Sequence, residues 1–282
     1  MAIAADLGYD GYEFHPVEPQ DDKTWEEIST SFKASGLKRT GMYVVTKGAT
    51  DEEFPKIEAE IARMKQIIDR LAALHPQAYL NFTVGSNPVG KTTPDYRDAG
   101  SAHAEPRHWE RTARIVREID THLALRGLSG NIYNHVWFMT DTPAAVLRTL
   151  QESGAKVVRP GLASFHAFFH LGVLDMDQVM ALPGMERLSY YALLNGWPKP
   201  ADPFRTRPLD DGNIDFAGAL GSSGSMATKA RWFRKRLTSA AILMIRRVAQ
   251  STTFARFMHV SSRIRPLIRM PRNPLPIRFG PD

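Results

Sequence analysis

TDEEFPKIEAEIARMKQIIDRLAALHPQAYLNFTV, residues 50–84, decides the fold. Ile57, Ile61, Met64, Ile68 and Leu71 recur every three or four residues and form one apolar helical stripe. Thr50-Asp51-Glu52-Glu53 in front of it has the form of a capping box, in which a Thr hydroxyl and a Glu carboxylate satisfy free N–H groups at a helix start. Ala78 to Val84 behind it is a short apolar run of strand length. The unit is therefore helix followed by strand, with no hairpin turn between them.

The same alternation extends in both directions. Tyr43-Val44-Val45 reads as a strand before the stripe. After it, Trp109, Ala113, Val116, Ile119 and Leu123 mark a second amphipathic helix, punctuated by Gly127 and Gly130. Asn131 to Phe138 reads as a strand. Thr142 as N-cap and Pro143 at the first helical position open a third helix, which Gly154 closes. Lys156 to Phe165 reads as a strand, Asp175 to Leu182 as a short helix, Arg187 to Asn195 as a strand, and Asp215 to Leu220 as the start of a helix.

Repeated strand–helix units imply a parallel sheet, either open and doubly wound or closed into a barrel. No Gly-rich phosphate loop follows the early strands, which disfavours the open form. Polar residues at strand ends (Glu13, His15, Asn81, Asn134, His135, His166 and Asn195) favour the barrel, whose site is assembled from the C-terminal ends of many strands.

Composition bounds the chemistry. There is no cysteine, so disulfides, thiolate metal sites and cysteine nucleophiles are excluded. The first residues lack the pattern of a secretory signal, and the apolar stretch Ser239–Ile245 is too short to span a bilayer, so a cytoplasmic location is expected. The net charge of +6 is unevenly spread. From Lys229 to Asp282 there are 13 Lys and Arg and one acid, whereas the preceding residues are net acidic. The expected organisation is a barrel over 1–223 and a basic tail over 224–282. The tail admits a helix around Trp232, Leu237, Ala241, Met244 and Val248, a contact with nucleic acid or acidic membrane, or a divergent ending; the last is favoured.

Four segments resemble the sugar phosphate isomerase/epimerase branch of the xylose-isomerase-like barrels. They are Leu7–Phe14 (LGYDGYEF), Ile132-Tyr133-Asn134-His135, Leu162-Ala163-Ser164-Phe165-His166 and Arg207–Phe216 (RPLDDGNIDF), in the family's order over roughly residues 1–221. The resemblance implies a (β/α)8 TIM barrel that is incomplete, with strand one missing before Met1 and strand eight doubtful. Strands two and seven would then be open edges unless the tail covers the gap. It also implies isomerisation or epimerisation of a sugar, sugar acid or polyol, with a proton moved between adjacent carbons. A divalent metal (Mn, Mg or Zn) is expected from the family, yet its ligand positions fall on Tyr133, Ala163 and Ala192, and no acid stands in the region of strand eight. The alternative is therefore a catalytically silent barrel without that metal.

By the resemblance, Glu13, His135 and His166 are the candidate catalytic residues, and His15, Asn81, Asn134, Asn195 and Arg207 the candidate substrate contacts. A site of His135, His166 and His170 alone is the remaining option for a metal. Lys91 to Pro106, with His103 and His108 nearby, has the length of a lid or of a surface insertion. The expected partner is a small carbohydrate, with neither nucleic acid nor membrane, and the open edges make homo-oligomerisation an expectation.

Overall fold

The computed structural model describes residues 5–6, 9, 11–14, 22–90, 98–171, 176–192, 195–196, 206–207, 214 and 242–244, all within one compact unit, Met1–Gln250. Six parallel strands follow one another across the sheet: β1 (Gly11–Phe14), β2 (Arg39–Thr46), β3 (Tyr79–Val84), β4 (Ser129–Tyr133), β5 (Val158–Ala163) and β6 (Tyr190–Ala192). The main helices between them are α1 (Asp22–Ser35), α2 (Ile57–Leu74), α3 (Pro106–Leu125), α4 (Pro143–Ser153), α5 (Ser164–Leu171) and α6 (Met176–Ala181). β7 (Asn195–Gly196) and β8 (Thr206–Arg207) form a separate antiparallel pair. β9 (Ile242–Met244) pairs parallel with β1.

The sheet is curled. Six strands at about 4.8 Å spacing would put β1 and β6 roughly 24 Å apart if flat. Yet the Tyr190 hydroxyl on β6 lies 3.1 Å from Glu13 Oε1 on β1. Only a sheet bent towards closure brings them together. The architecture is thus an incomplete α/β barrel, as expected from the sequence.

Strand alternation divides the sheet into two faces. The outer face carries Met42, Val44, Leu80, Phe82, Val84 and Ile132, which pack with the helical stripes in one buried cluster. All five stripe residues of α2 are buried, as are Trp109, Ala113, Val116, Ile119 and Leu123 of α3. Asp120 of α3, also buried, accepts hydrogen bonds from Val157 and Val158 N–H at 2.8 and 2.7 Å, and from Lys156 N–H at 3.0 Å. One carboxylate thereby fixes the entry of β5. Thr142 caps α4 by accepting from Ala145 N–H at 3.0 Å, and Gly154 ends it in the left-handed region at φ 68°.

Several boundaries differ from the sequence reading. Thr50 accepts from Glu53 N–H, but the Glu53 carboxylate turns to Gly48 N–H and Ser86, so Phe54–Lys56 is a 3-10 turn and α2 starts only at Ile57. β4 stops at Tyr133 because the chain turns, His135 N–H meeting Thr140 C=O at 2.9 Å. β5 stops at Ala163, which places His166 in the first turn of α5 rather than on a strand. The strand expected from Arg187 is short because Met185–Arg187 is a 3-10 turn. His108 belongs to α3 and not to a loop: its ring closes a reciprocal cap with Glu105. Ile242–Met244 is extended rather than helical, since it completes the ladder on the open edge of β1. The sequence reading passed over α1, which buries Trp25 against Phe14. The helix start expected at Asp215 lies outside the described residues.

Candidate active site

Inward-facing residues are set by register. Glu13 pairs with Gly41, Gly41 with Tyr79, Tyr43 with Asn81, Tyr133 with Gly161, and Gly161 with Tyr190. Four tyrosines (Tyr43, Tyr79, Tyr133 and Tyr190) therefore converge on the inner face, with Val45, Ala163 and Ala192. Tyr133 has its ring centroid 5.3 Å from that of Tyr43 and 6.0 Å from that of Tyr190, and Tyr79 is 6.2 Å from Tyr190. Glycine supplies the room: a Cβ at Gly41 would overlap the Tyr79 ring, and one at Gly161 would press on Tyr133 and Tyr190.

Glu13 is enclosed by this cluster at 1% exposure. Oε1 accepts the Tyr190 hydroxyl, whereas Oε2 is buried and, among the described residues, has no hydrogen-bond partner. Burial pushes its pKa up to about 7, against the opposing pull of Tyr190, Tyr79 and Asn81. Asn81, fully buried on β3, has neither its Oδ1 nor its Nδ2 hydrogen-bonded. Burial also drives the phenols of Tyr133 and Tyr190 well above their ordinary range, so both remain neutral donors.

A second group lies at the C-terminal ends of β4 and β5. Asn134 grips the Ala163 backbone from both sides, accepting from its N–H at 2.9 Å and donating to its C=O at 3.2 Å. That use makes Asn134 a clamp between strands. The His135 ring stacks on Phe138 at 4.3 Å and faces the His166 ring at 3.9 Å, and its Nδ1 donates to Val136 C=O. The turn that aims it contains Trp137 at φ 70°, a strained setting for a bulky residue. His166 is buried, and its Nδ1 has no partner. Burial first, and His135 second, hold its pKa well below the usual imidazole range, so it is neutral at pH 7.

The structure thus brings Glu13 and Asn81 into one group, and Asn134, His135 and His166 into another. Asn195 and Arg207 are backbone partners across the β7–β8 pair. His15 lies outside the described residues. Sequence reasoning singled out Tyr133 only as a replaced ligand and missed the other three tyrosines, whose signal was period-two placement: Tyr43 before Val45, Tyr79 before Asn81, and Tyr190 before Ala192.

The expected divalent cation does not fit the described residues. Tyr133 is a neutral phenol within the ring cluster. Ala163 offers only backbone already clamped by Asn134, and the Ala192 carbonyl accepts the Ser164 hydroxyl at 3.0 Å. Among the described residues no group of three or more His, Cys, Asp or Glu is arranged to hold a metal. Nor, among them, is any helix long and apolar enough to cross a membrane.

Residues 1–221 match a family described as xylose isomerase-like TIM barrel. No curated protein matches the sequence. Among solved structures, the chain resembles a probable 3-DHS dehydratase involved in petrobactin synthesis from Bacillus anthracis (TM-score 0.59, 15% identity, 77% of this chain and 80% of that one). It also resembles a 3-keto-D-glucoside 4-epimerase from E. coli (0.58, 15%, 90% and 88%). A xylose isomerase-like TIM barrel protein from Mycobacterium smegmatis, in complex with magnesium, is similar at 0.54 and 15%, over 84% and 87%. At these identities the likeness concerns the fold.

Proposed function

Because this chain belongs to the xylose isomerase-like TIM barrel family, we propose that it is a sugar isomerase/epimerase-like protein in which Glu13 moves a proton between adjacent carbons of a sugar, sugar acid or polyol. The observation that carries the reading is the Glu13 carboxyl: buried, tuned to about 7, and with Oε2 unengaged. A group balanced near neutrality can both take and return a proton. The carboxylate removes a proton from the hydroxyl-bearing carbon beside a carbonyl, leaving an enediolate, and the resulting acid returns it to the former carbonyl carbon while the hydroxyl proton passes from one oxygen to the other. The amide N–H of Asn81, unpartnered in the structure, suits the oxygen on which charge develops. His135 and His166 are assigned the substrate side at the mouth. The metal takes no part in this scheme, because the donor set described above does not suit it.

Solvent exchange tests the reading without foreknowledge of the product. The protein is incubated in D2O with a panel of aldoses, ketoses, sugar acids and polyols, with and without Mn²⁺ or Mg²⁺. Deuterium should enter carbon beside the carbonyl of at least one substrate, and Glu13→Gln should abolish it.

A second reading, a catalytically silent barrel that only binds, is favoured by the tyrosine rings that fill the inner face. It expects sugar contacts in saturation-transfer NMR without deuterium incorporation.

A further inference from the structure

We propose that Tyr190 is the positioning residue for Glu13: its hydroxyl anchors Oε1 from across the curled sheet and leaves Oε2 as the atom that carries the proton. The inference rests on the role given to Glu13 above.

The two residues are 177 positions apart, so only barrel curvature makes them neighbours. The bond length, 3.1 Å, is ordinary, and both groups are buried. The Tyr190 ring is held between Tyr133 (6.0 Å, 29° between planes) and Tyr79 (6.2 Å, 49°), with Gly161 beside it, where a Cβ would lie in tight contact at 3.3 Å. A ring fixed on several sides has little freedom to withdraw its hydroxyl. The carboxyl is thereby oriented at one oxygen only. Its other oxygen is the one free to exchange a proton, since a carboxylate hydrogen-bonded at both oxygens would have to break a bond first.

The surroundings leave Tyr190 a decisive influence. Among the described residues, the groups facing Glu13 are Tyr190 from β6, Tyr79 and Asn81 from β3, and the Tyr133 phenol from β4. None of them is a cation. Burial favours the neutral acid; the Tyr190 hydrogen bond, and more weakly the nearby polar groups of Tyr79 and Asn81, favour the carboxylate. A residue serving packing alone would not shift this balance when its hydroxyl is removed and its ring retained.

The experiment is a carboxyl 13C NMR titration of the full chain labelled at glutamate, with Glu13 assigned by the loss of its signal in Glu13→Gln. In Tyr190→Phe the Glu13 midpoint should rise by about 0.5–1 unit, as expected for loss of one hydrogen bond to the charged form. Tyr43→Phe, which alters the same ring cluster, should leave it near the parent value. Fluorotyrosine at position 190, a stronger donor, should lower it, and this arm needs no folded Phe variant. An unmoved midpoint in both position-190 variants overturns the proposal, as does an equal shift in Tyr43→Phe. The titration reads the anchor whether or not the protein turns over a sugar. Absent deuterium exchange together with the expected shifts removes the proposed function and leaves the anchor. Where exchange is found, its acid limb should move with the midpoint.

Discussion

A carboxyl that ionises near pH 7 in the fold, but near 4.5 when the chain is unfolded, makes stability depend on pH in a direction opposite to most acids. Between those values the native state holds a proton that the unfolded state has released, so unfolding releases a proton and stability falls as pH rises. The contribution is complete below about 4.5 and is lost as pH passes through about 7. A separation of this size corresponds to about 3 kcal/mol. Urea unfolding of the parent and of Glu13→Gln at intervals from pH 4 to 8 should show the parent losing about that much relative to the variant. His166 acts in the opposite sense: its depressed pKa gives stability that is full above the ordinary imidazole value and is lost as pH falls below it.

At the level of elements, glycines on strands decide how closely rings approach the sheet. Gly41 lies under the Tyr79 ring, where even one methyl group would displace it. Gly41→Ala should therefore destabilise the protein by about 1–3 kcal/mol, as overpacking does in tight cores, and the loss should be measurable as a lower urea midpoint with unchanged slope. Elements also show where the sequence was readable. The α2 stripe could be read residue by residue because a 3.6-residue period needs no knowledge of partners. The junction Leu162-Ala163-Ser164-Phe165-His166 could not, because an apolar run suits a strand and a buried helix equally, and the break comes from Asn134 clamping Ala163. Likewise the tyrosine cluster unites residues from four strands. Each occupies an unremarkable inward position, and their meeting depends on register and curvature. Glu13 was legible as a strand-end acid; its phenolic surroundings were not.

For the whole molecule, the central contrast is a family barrel in which the ligand positions expected from the resemblance carry a phenol and two methyl groups. Elemental analysis of purified protein should find no stoichiometric divalent ion, and excess chelator should leave the melting temperature unchanged. One tightly bound ion per chain would overturn the assignment of Tyr133, Ala163 and Ala192 as non-ligands. Charge alone divides the sequence into an acidic stretch and a basic one from Lys229, in which Ser239–Ile245 stands out as apolar. That its centre, Ile242–Met244, would add to β1 was not legible, because strand pairing over 230 residues leaves no local pattern. This pairing also sets an order of assembly during synthesis. β2 to β6 can each join the strand already laid down before it. The edge of β1 away from β2 receives Ile242–Met244 only after residue 244 has been made, so a ribosome-bound chain leaves that edge of β1 without this partner while β2 to β6 are being laid down.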